Sequence, residues 1–318
     1  CPAVRKVVSS PVAAATTRWS MSTDLRGLVG VVGLVTVCAL GVSSCSTTGR
    51  GDNQITPVTV TVTGSTTSQT SASVPSSAPV ANPLARGFAA LAAQVGVPVG
   101  VALAPVGRGG SDPIVLGDNT PQVAWSTIKV PLAVAAEREN GPSAAESNAI
   151  INSDNASAES LWSSLGSDAV AARKVTAVLR EGGDTQSTVP AQRLRAGFTV
   201  FGQTVWTLPA AATFTAHLPC MPGTAHVVSL MGQVAGNQQW GIEVMSTPKS
   251  TAVKGGWGPG VDGSYLVRQI GLITYSDGRQ TAVAMSAAGG SMSGGIAALN
   301  TIGNWLNRNA ARLPRGTC

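Results

Sequence analysis

Lysine is rare in this chain, occurring only at positions 6, 129, 174, 249 and 254, and two of these stand where an amine could do chemistry. Lys129 closes Ser126-Thr127-Ile128-Lys129, directly ahead of Val130-Pro131-Leu132 and a run of helix formers to Glu139. Residues three apart on a helix share a face. The spacing therefore sets the Ser126 hydroxyl beside the Lys129 amine at a helix's first turn, where backbone N–H groups lack intrahelical partners. A hydroxyl is a weak nucleophile until a neighbouring base takes its proton. A lysine desolvated among apolar neighbours can have its pKa lowered enough to be that base. The tetrapeptide alone is a weak signal: a second copy runs from Ser246 to Lys249, where Pro248 opposes a nucleophile-bearing helix.

A second polar group, Ser153-Asp154-Asn155, follows at a telling distance. The chain breaks at Asn140-Gly141-Pro142 and restarts with Ser143-Ala-Ala-Glu146, a capping-box pattern. One helix of about 14 residues would run roughly 20 Å outward, and another of about 10 would return roughly 15 Å. An antiparallel pair would bring Ser153 back beside Ser126. Read locally, the same tripeptide is equally a polar turn, because Ser, Asp and Asn all favour caps. A third group, Lys254-Gly255-Gly256-Trp257, lies on a candidate strand before the Gly-rich stretch 258–263. Two glycines after a lysine leave backbone exposed beside a cation, which suits a carboxylate-bearing ligand. Read alone, it is also a hairpin with an incidental lysine.

Taken together, Ser-x-x-Lys on a helix, then Ser-Asp-Asn, then Lys-x-Gly on a strand resemble the class A β-lactamases and penicillin-binding serine transpeptidases. The likeness extends to 149–166 around the second group and to 253–273 across the strands, and covers roughly Leu84 to Arg312. The resemblance implies Ser126 as acylated nucleophile, Lys129 as its general base and Ser153 as proton relay to the leaving nitrogen. Asn155 would hold the substrate amide, Lys254 and Gly256 the carboxylate end, and the backbone N–H groups of Ser126 and Trp257 the oxyanion. No cofactor and no metal are implied.

Three departures from the family pattern bear on turnover. Gly255 stands where the family has Thr or Ser, removing one hydroxyl contact. The segment between Ser126 and Ser153 is markedly shorter, which opens one wall of the cleft. The family's deacylating Glu has no counterpart: no Asp or Glu occurs between Thr185 and Ile242, and Glu181 and Asp184 fall somewhat early. The expected chemistry is a Ser126 acyl-enzyme with β-lactam or peptidoglycan-peptide substrates and slow deacylation, rather than efficient β-lactam hydrolysis. The alternative is a non-catalytic wall-binding lipoprotein that keeps the fold.

The elements that must position these groups can be read from composition. Leu84–Val95 is Ala-rich and helical, 97–105 and 114–116 read as strands, and a mostly helical block spans 126–234. Strands return at 252–257, 265–274 and 281–286, with the hairpin signal Asp277-Gly278 between the last two, and 294–311 reads as an amphipathic helix. This order fits an α/β (α+β) architecture: an antiparallel sheet flanked by terminal helices, with an inserted all-helical subdomain. Trp162, Trp240 and Trp305 sit in apolar segments and are expected in the core, whereas Trp125 and Trp257 should flank the cleft.

With 43% hydrophobic residues the 318-residue chain can bury a sizeable core. Its net charge of +6 is partly carried by an N-terminal segment with Arg5, Lys6, Arg18 and Arg26 against Asp24. What remains is too small and scattered for a nucleic-acid footprint. Met21 reads as the start of a signal peptide whose apolar run, Leu28 to Val42, is shorter than the ~20 residues of a spanning helix. The run ends at Val42-Ser43-Ser44-Cys45, which resembles a lipoprotein box with Cys45 as the acylated residue. Residues 1–44 are accordingly read as upstream residues and signal peptide, 45–82 as a lipidated Ser/Thr/Pro-rich linker unable to bury a core, and 83–318 as the domain. The expected location is the outer side of a bacterial cell membrane, held by the lipid. Cys220 and Cys318 remain for a disulfide in an oxidising compartment. His217 and His226 have no Cys, Asp or Glu at ligand spacing around them.

Overall fold

The structure, a computed structural model, describes residues 83–109 and 112–318. The signal peptide with its Met21 start, Cys45 and the linker lie outside the described residues. The described chain opens with α1 (Pro83–Val95), β1 (Val99–Pro105) and β2 (Ile114–Gly117), then continues with a helical block. That block holds α2 (Lys129–Asn140), α3 (Ala144–Ile151), α4 (Asn155–Ser164), α5 (Asp168–Glu181), α6 (Leu208–His217) and α7 (Ala225–Met231). It closes with β3 (Ser250–Pro259), β4 (Tyr265–Thr274), β5 (Gln280–Gly289) and α8 (Met292–Arg308).

The five strands form one antiparallel sheet in the order β2-β1-β5-β4-β3. Strands far apart in sequence thus share a sheet, as the element order suggested. Side chains alternate across it. Val99, Val101 and Leu103 of β1, with Val283 and Met285 of β5, join Phe88 of α1 and Leu299, Ile302 and Trp305 of α8 in one core. Phe88 meets Trp305 edge-on at 5.3 Å. The residues between them, Ala102, Ala284 and Ile270, face the helical block and a second core built on Leu132, Trp162, Phe201, Trp206 and Phe214. Small side chains on that face let the helices approach the strands closely. The sheet is therefore covered on both sides, and β3, at its edge, carries Lys254 and Gly256 on the helical side, opposite Val253 and Trp257.

Local signals account for most element ends. Ser143 and Glu146 form a reciprocal capping box on α3, and the Asp154 carboxylate caps α4 through Ser157 N–H. The turn between β4 and β5 contains Asp277, whose carboxylate accepts from Arg279 N–H at 3.0 Å. Trp162, Trp240 and Trp305 are buried. Several boundaries differ from the sequence reading: β1 begins at Val99 rather than Val97, and α8 runs Met292–Arg308 rather than 294–311. β3 and β5 are longer at both ends, because pairing with β4 along ten residues holds Gly- and Ser-containing termini in register. The helical block is interrupted from Gly182 to Thr207 by irregular chain with one 3-10 turn, Phe201–Gln203. Gly183, the second residue of that stretch, has a φ of 82°, a left-handed conformation that ends α5.

Cys220 and Cys318 are disulfide-bonded, 5.3 Å apart at Cα. The bond and a bridge between Gln280 and Gly316 tie the chain's end to the region after α6 and to β5.

Candidate active site

Ser126 stands on a 3-10 turn, Trp125–Ile128, and the α-helix proper begins at Lys129. The expected position on the α-helix's own first turn is thus displaced by one tight turn. The turn opens on Trp125, a non-glycine residue with φ of 47°. Such a conformation costs of order 1–3 kcal/mol and persists only where its surroundings enforce it. Here the indole is buried, packs edge-on against Phe198 at 5.0 Å, and lies where any side chain at Gly258 would strike it. The Thr127 hydroxyl ties the turn by donating to Ala124 O at 2.6 Å. Of residues 124–130, Ser126 alone is not buried. The turn hides its neighbours and presents one hydroxyl.

Below it, two buried lysines meet at Ser153. Lys129 has no exposed surface and donates to Ser153 O at 2.6 Å, Asp154 O at 3.2 Å and Asn155 Oδ1 at 2.8 Å. Desolvation lowers its pKa to about 8, against the opposing pull of the Asp154 and Glu159 charges. Lys254, also fully buried, donates to Ser153 Oγ at 2.8 Å, Gln238 Oε1 at 2.5 Å and Gly255 O at 2.9 Å. Burial, and then repulsion from Lys129, hold its pKa well below the ordinary lysine value. Ser153 adopts a left-handed φ of 57°, and its carbonyl accepts from one amine while its hydroxyl oxygen accepts from the other. The outward and returning helices thus bring the second group to the first, and it is at once a polar turn and a partner of both lysines.

β3 seals the turn from the other side. A Cβ at Gly256 would lie 2.9 Å from Ser126 N, Thr127 N and Ala124 O, so only glycine fits between strand and turn. The N–H and C=O of Gly255 both point away from β4, to Gln238 Oε1 at 3.0 Å and from Lys254 Nζ at 2.9 Å. Backbone direction repeats every two residues along a strand. The N–H of Trp257 therefore also faces outward from the sheet edge, beside the turn that carries Ser126.

Ser126, Asn155 and Trp257 line a cleft of about 430 Å³ together with Trp125 and Tyr265. Lys129, Ser153, Lys254 and Gly256 do not line it, and the hydrogen bonds of Lys129 and Ser153 go to each other's neighbourhood rather than to the Ser126 hydroxyl. Neither acid considered from sequence reaches it. Glu181 pairs with Arg138 (2.5 Å) on another face, and Asp184 is buried, its carboxylate accepting from Gln186 N–H and Ser187 N–H at 3.0 Å. The carboxylate that does line the cleft is Glu159. Its signal was available: Glu159 follows Asn155 by four residues on α4, which places both on one helix face.

Sequence reading also missed the loop that forms the cleft's outer wall. Arg193, Gly197, Phe198 and Thr199 line it. Arg195 latches the loop to the end of β3 by donating to Pro259 O at 2.6 Å and Gly260 O at 3.3 Å, with its guanidinium 4.5 Å from the Phe198 ring. Nothing in the loop's composition marks it, because its role comes from a contact across 64 residues.

No family model matches the sequence, and no curated protein matches it. Solved structures do match the fold. A β-lactamase from Chitinophaga pinensis superposes with a TM-score of 0.58 at 16% identity, covering 72% of this chain and all of that one. The L2 protein, solved with relebactam, gives 0.55 at 20% identity over 70% of this chain and 95% of that one. An ancestral class A β-lactamase gives 0.53 at 19% identity over 71% and 99%. The chain has the β-lactamase fold.

Proposed function

We propose that this protein is a serine acyl-transfer enzyme that forms a Ser126 ester with β-lactam or peptidoglycan-peptide substrates and releases it slowly. The observation that carries this reading is the convergence of two buried lysines on Ser153, the first of them on the same turn as Ser126, the one residue of 124–130 that is not buried. Lys129, as free amine, takes the Ser126 proton while Ser126 Oγ attacks the substrate carbonyl carbon. The carbonyl oxygen becomes an oxyanion received by the N–H groups of Ser126 and Trp257, donors of a kind worth a few kcal/mol at the transition state. When the C–N bond breaks, the Ser153 hydroxyl gives its proton to the departing nitrogen and is refilled from the Lys129 ammonium. Lys254, hydrogen-bonded to Ser153 Oγ, leaves that hydroxyl's own proton free to point at the leaving group. Asn155 holds the substrate amide. Lys254 is covered, so it acts on a substrate carboxylate through its field, and Arg193 is the cation at the cleft surface.

Slow release follows from the acids. Glu159 is the carboxylate of the cleft lining, and it lies on the rim formed by α4 rather than in the loop wall. Export and tethering through a lipid on Cys45 rest on the apolar segment and small residues before that cysteine. Loss of membrane association in Cys45→Ala would test them. For the chemistry, intact-protein mass spectrometry after exposure to a penicillin should show a one-adduct mass in wild type that persists over many minutes and is missing in Ser126→Ala. No adduct in wild type under any condition would overturn the proposal in favour of a binding protein without catalysis.

A further inference from the structure

On the far side of the helical block, three side chains from three helices converge: Glu137 near the end of α2, Glu146 in the first turn of α3 and His226 in the first turn of α7. Their candidate ligand atoms all lie within 4.8 Å of one another. No spacing in the sequence foretold this, because 80 residues and several helices separate His226 from Glu146.

Each of the three carries a buried polar atom without a hydrogen-bond partner: Glu137 Oε2, Glu146 Oε1 and His226 Nδ1. Glu146 is itself only 1% exposed. Its other oxygen is engaged by Ser143 N–H at 3.3 Å in the capping box, which fixes the carboxylate's orientation. Glu137 and Glu146 lie side by side, and burial together with the neighbouring Glu137 carboxylate raises the Glu146 pKa to about 8; the pair must either share a proton or gain a compensating positive charge. Among the described residues no lysine or arginine supplies one; Arg138, next in sequence to Glu137, is committed to Glu181 and to Pro222 O. His226 Nδ1 stands 3.5 Å from Glu137 Oε2 and 3.5 Å from Glu146 Oε2, at the outer limit for a hydrogen bond. Those separations suit a shared ion instead. With bonds of about 2.0–2.2 Å, neighbouring ligand atoms on a tetrahedral zinc stand roughly 3.3–3.5 Å apart.

We propose that Glu137, Glu146 and His226 form a binding site for a divalent first-row transition metal, with zinc as the chemically matched ion. One imidazole nitrogen and two carboxylates are ligands zinc accepts. The imidazole side chain is 37% exposed and that of Glu137 13%, which gives the ion a way in and leaves its fourth position to water. The site clamps the C-terminal end of α2 to α3 and α7. It is remote from the cleft, since Lys129 sits at the opposite end of α2.

The test uses untagged full-length protein, stripped with EDTA, desalted and titrated with zinc chloride by calorimetry, with melting temperature read in parallel. One saturable equivalent should bind and raise the melting temperature, as any ligand specific to the folded state must. Both effects should vanish in His226→Ala and in Glu137→Gln. A cooperative urea melt of each variant checks that it is folded and keeps this test separate from the proposed chemistry. Glu146→Gln is the riskier variant because Glu146 also caps α3, so the outcome rests on the other two. Absence of saturable zinc binding by the wild type, or one equivalent retained in both variants, would overturn the proposal.

Discussion

Replacing Lys129 with methionine should abolish acylation without unfolding the protein. The structure sets both magnitudes. A shift from 10.5 to about 8 corresponds to roughly 3 kcal/mol that the buried ammonium costs the fold at neutral pH, and methionine removes that cost. The same change removes the donor to Ser153 O, Asp154 O and Asn155 Oδ1; Asp154 and Asn155 are exposed and water can serve them, so the loss falls on Ser153 O, about 1–3 kcal/mol. The two effects oppose each other, so Lys129→Met should destabilise by no more than a few kcal/mol. The rate effect is larger. A positioned general base contributes about 10²–10⁴-fold, and the labelling rate with a fluorescent penicillin should fall by that factor.

Wild type should also show a pH signature. At pH 7 about a tenth of a lysine with a pKa near 8 is free amine, so labelling should rise nearly tenfold per pH unit below 8 and level above it. The folded pKa lies below the unfolded one, so the folded state binds fewer protons between them. The stability cost is full below about pH 8 and disappears as pH rises toward 10.5. Stopped time courses of labelling from about pH 6 to 9 measure the first effect, and denaturant melts from about pH 7 to 10.5 the second. A Lys129→Met protein that labels within a few-fold of wild type, or a wild-type profile flat across pH 8, would refute the assignment of Lys129 as base.

Gly256→Ala puts a methyl 2.9 Å from three backbone atoms of the Ser126 turn, and backbone yields less readily than a side-chain tip. It should cost about 1–3 kcal/mol in a urea melt and reduce labelling by displacing Ser126 N–H. Glu159→Gln should leave both the labelling rate and the adduct lifetime by mass spectrometry within a few-fold of wild type, although Glu159 lines the cleft; a lifetime lengthened tenfold or more would make Glu159 the deacylating carboxylate and refute the account of slow release. Paired replacement of Cys220 and Cys318 by serine releases a loop spanning 98 residues and should lower stability by about 2–5 kcal/mol, measured under non-reducing conditions against wild type.

What the amino-acid sequence determined was local. Ser143 and Glu146 start a helix because their side chains reach each other's backbone three residues apart. Asp277-Gly278 turns the chain between two strands, and Ser126 and Lys129 lie one turn apart wherever that segment winds. The order of the three polar groups, with strands before and after a helical block, was enough to indicate the fold. Tertiary structure decided the rest. Lys254 is buried against Ser153 across 101 residues, Glu159 rather than Glu181 or Asp184 borders the cleft, Arg195 latches its wall, and Glu137, Glu146 and His226 meet. These are through-space placements made by packing helices onto a sheet edge. Spacing along the chain reports a side chain's direction only over the few residues that share a helical turn or strand pleat, so it carries no record of which distant surface that side chain will meet.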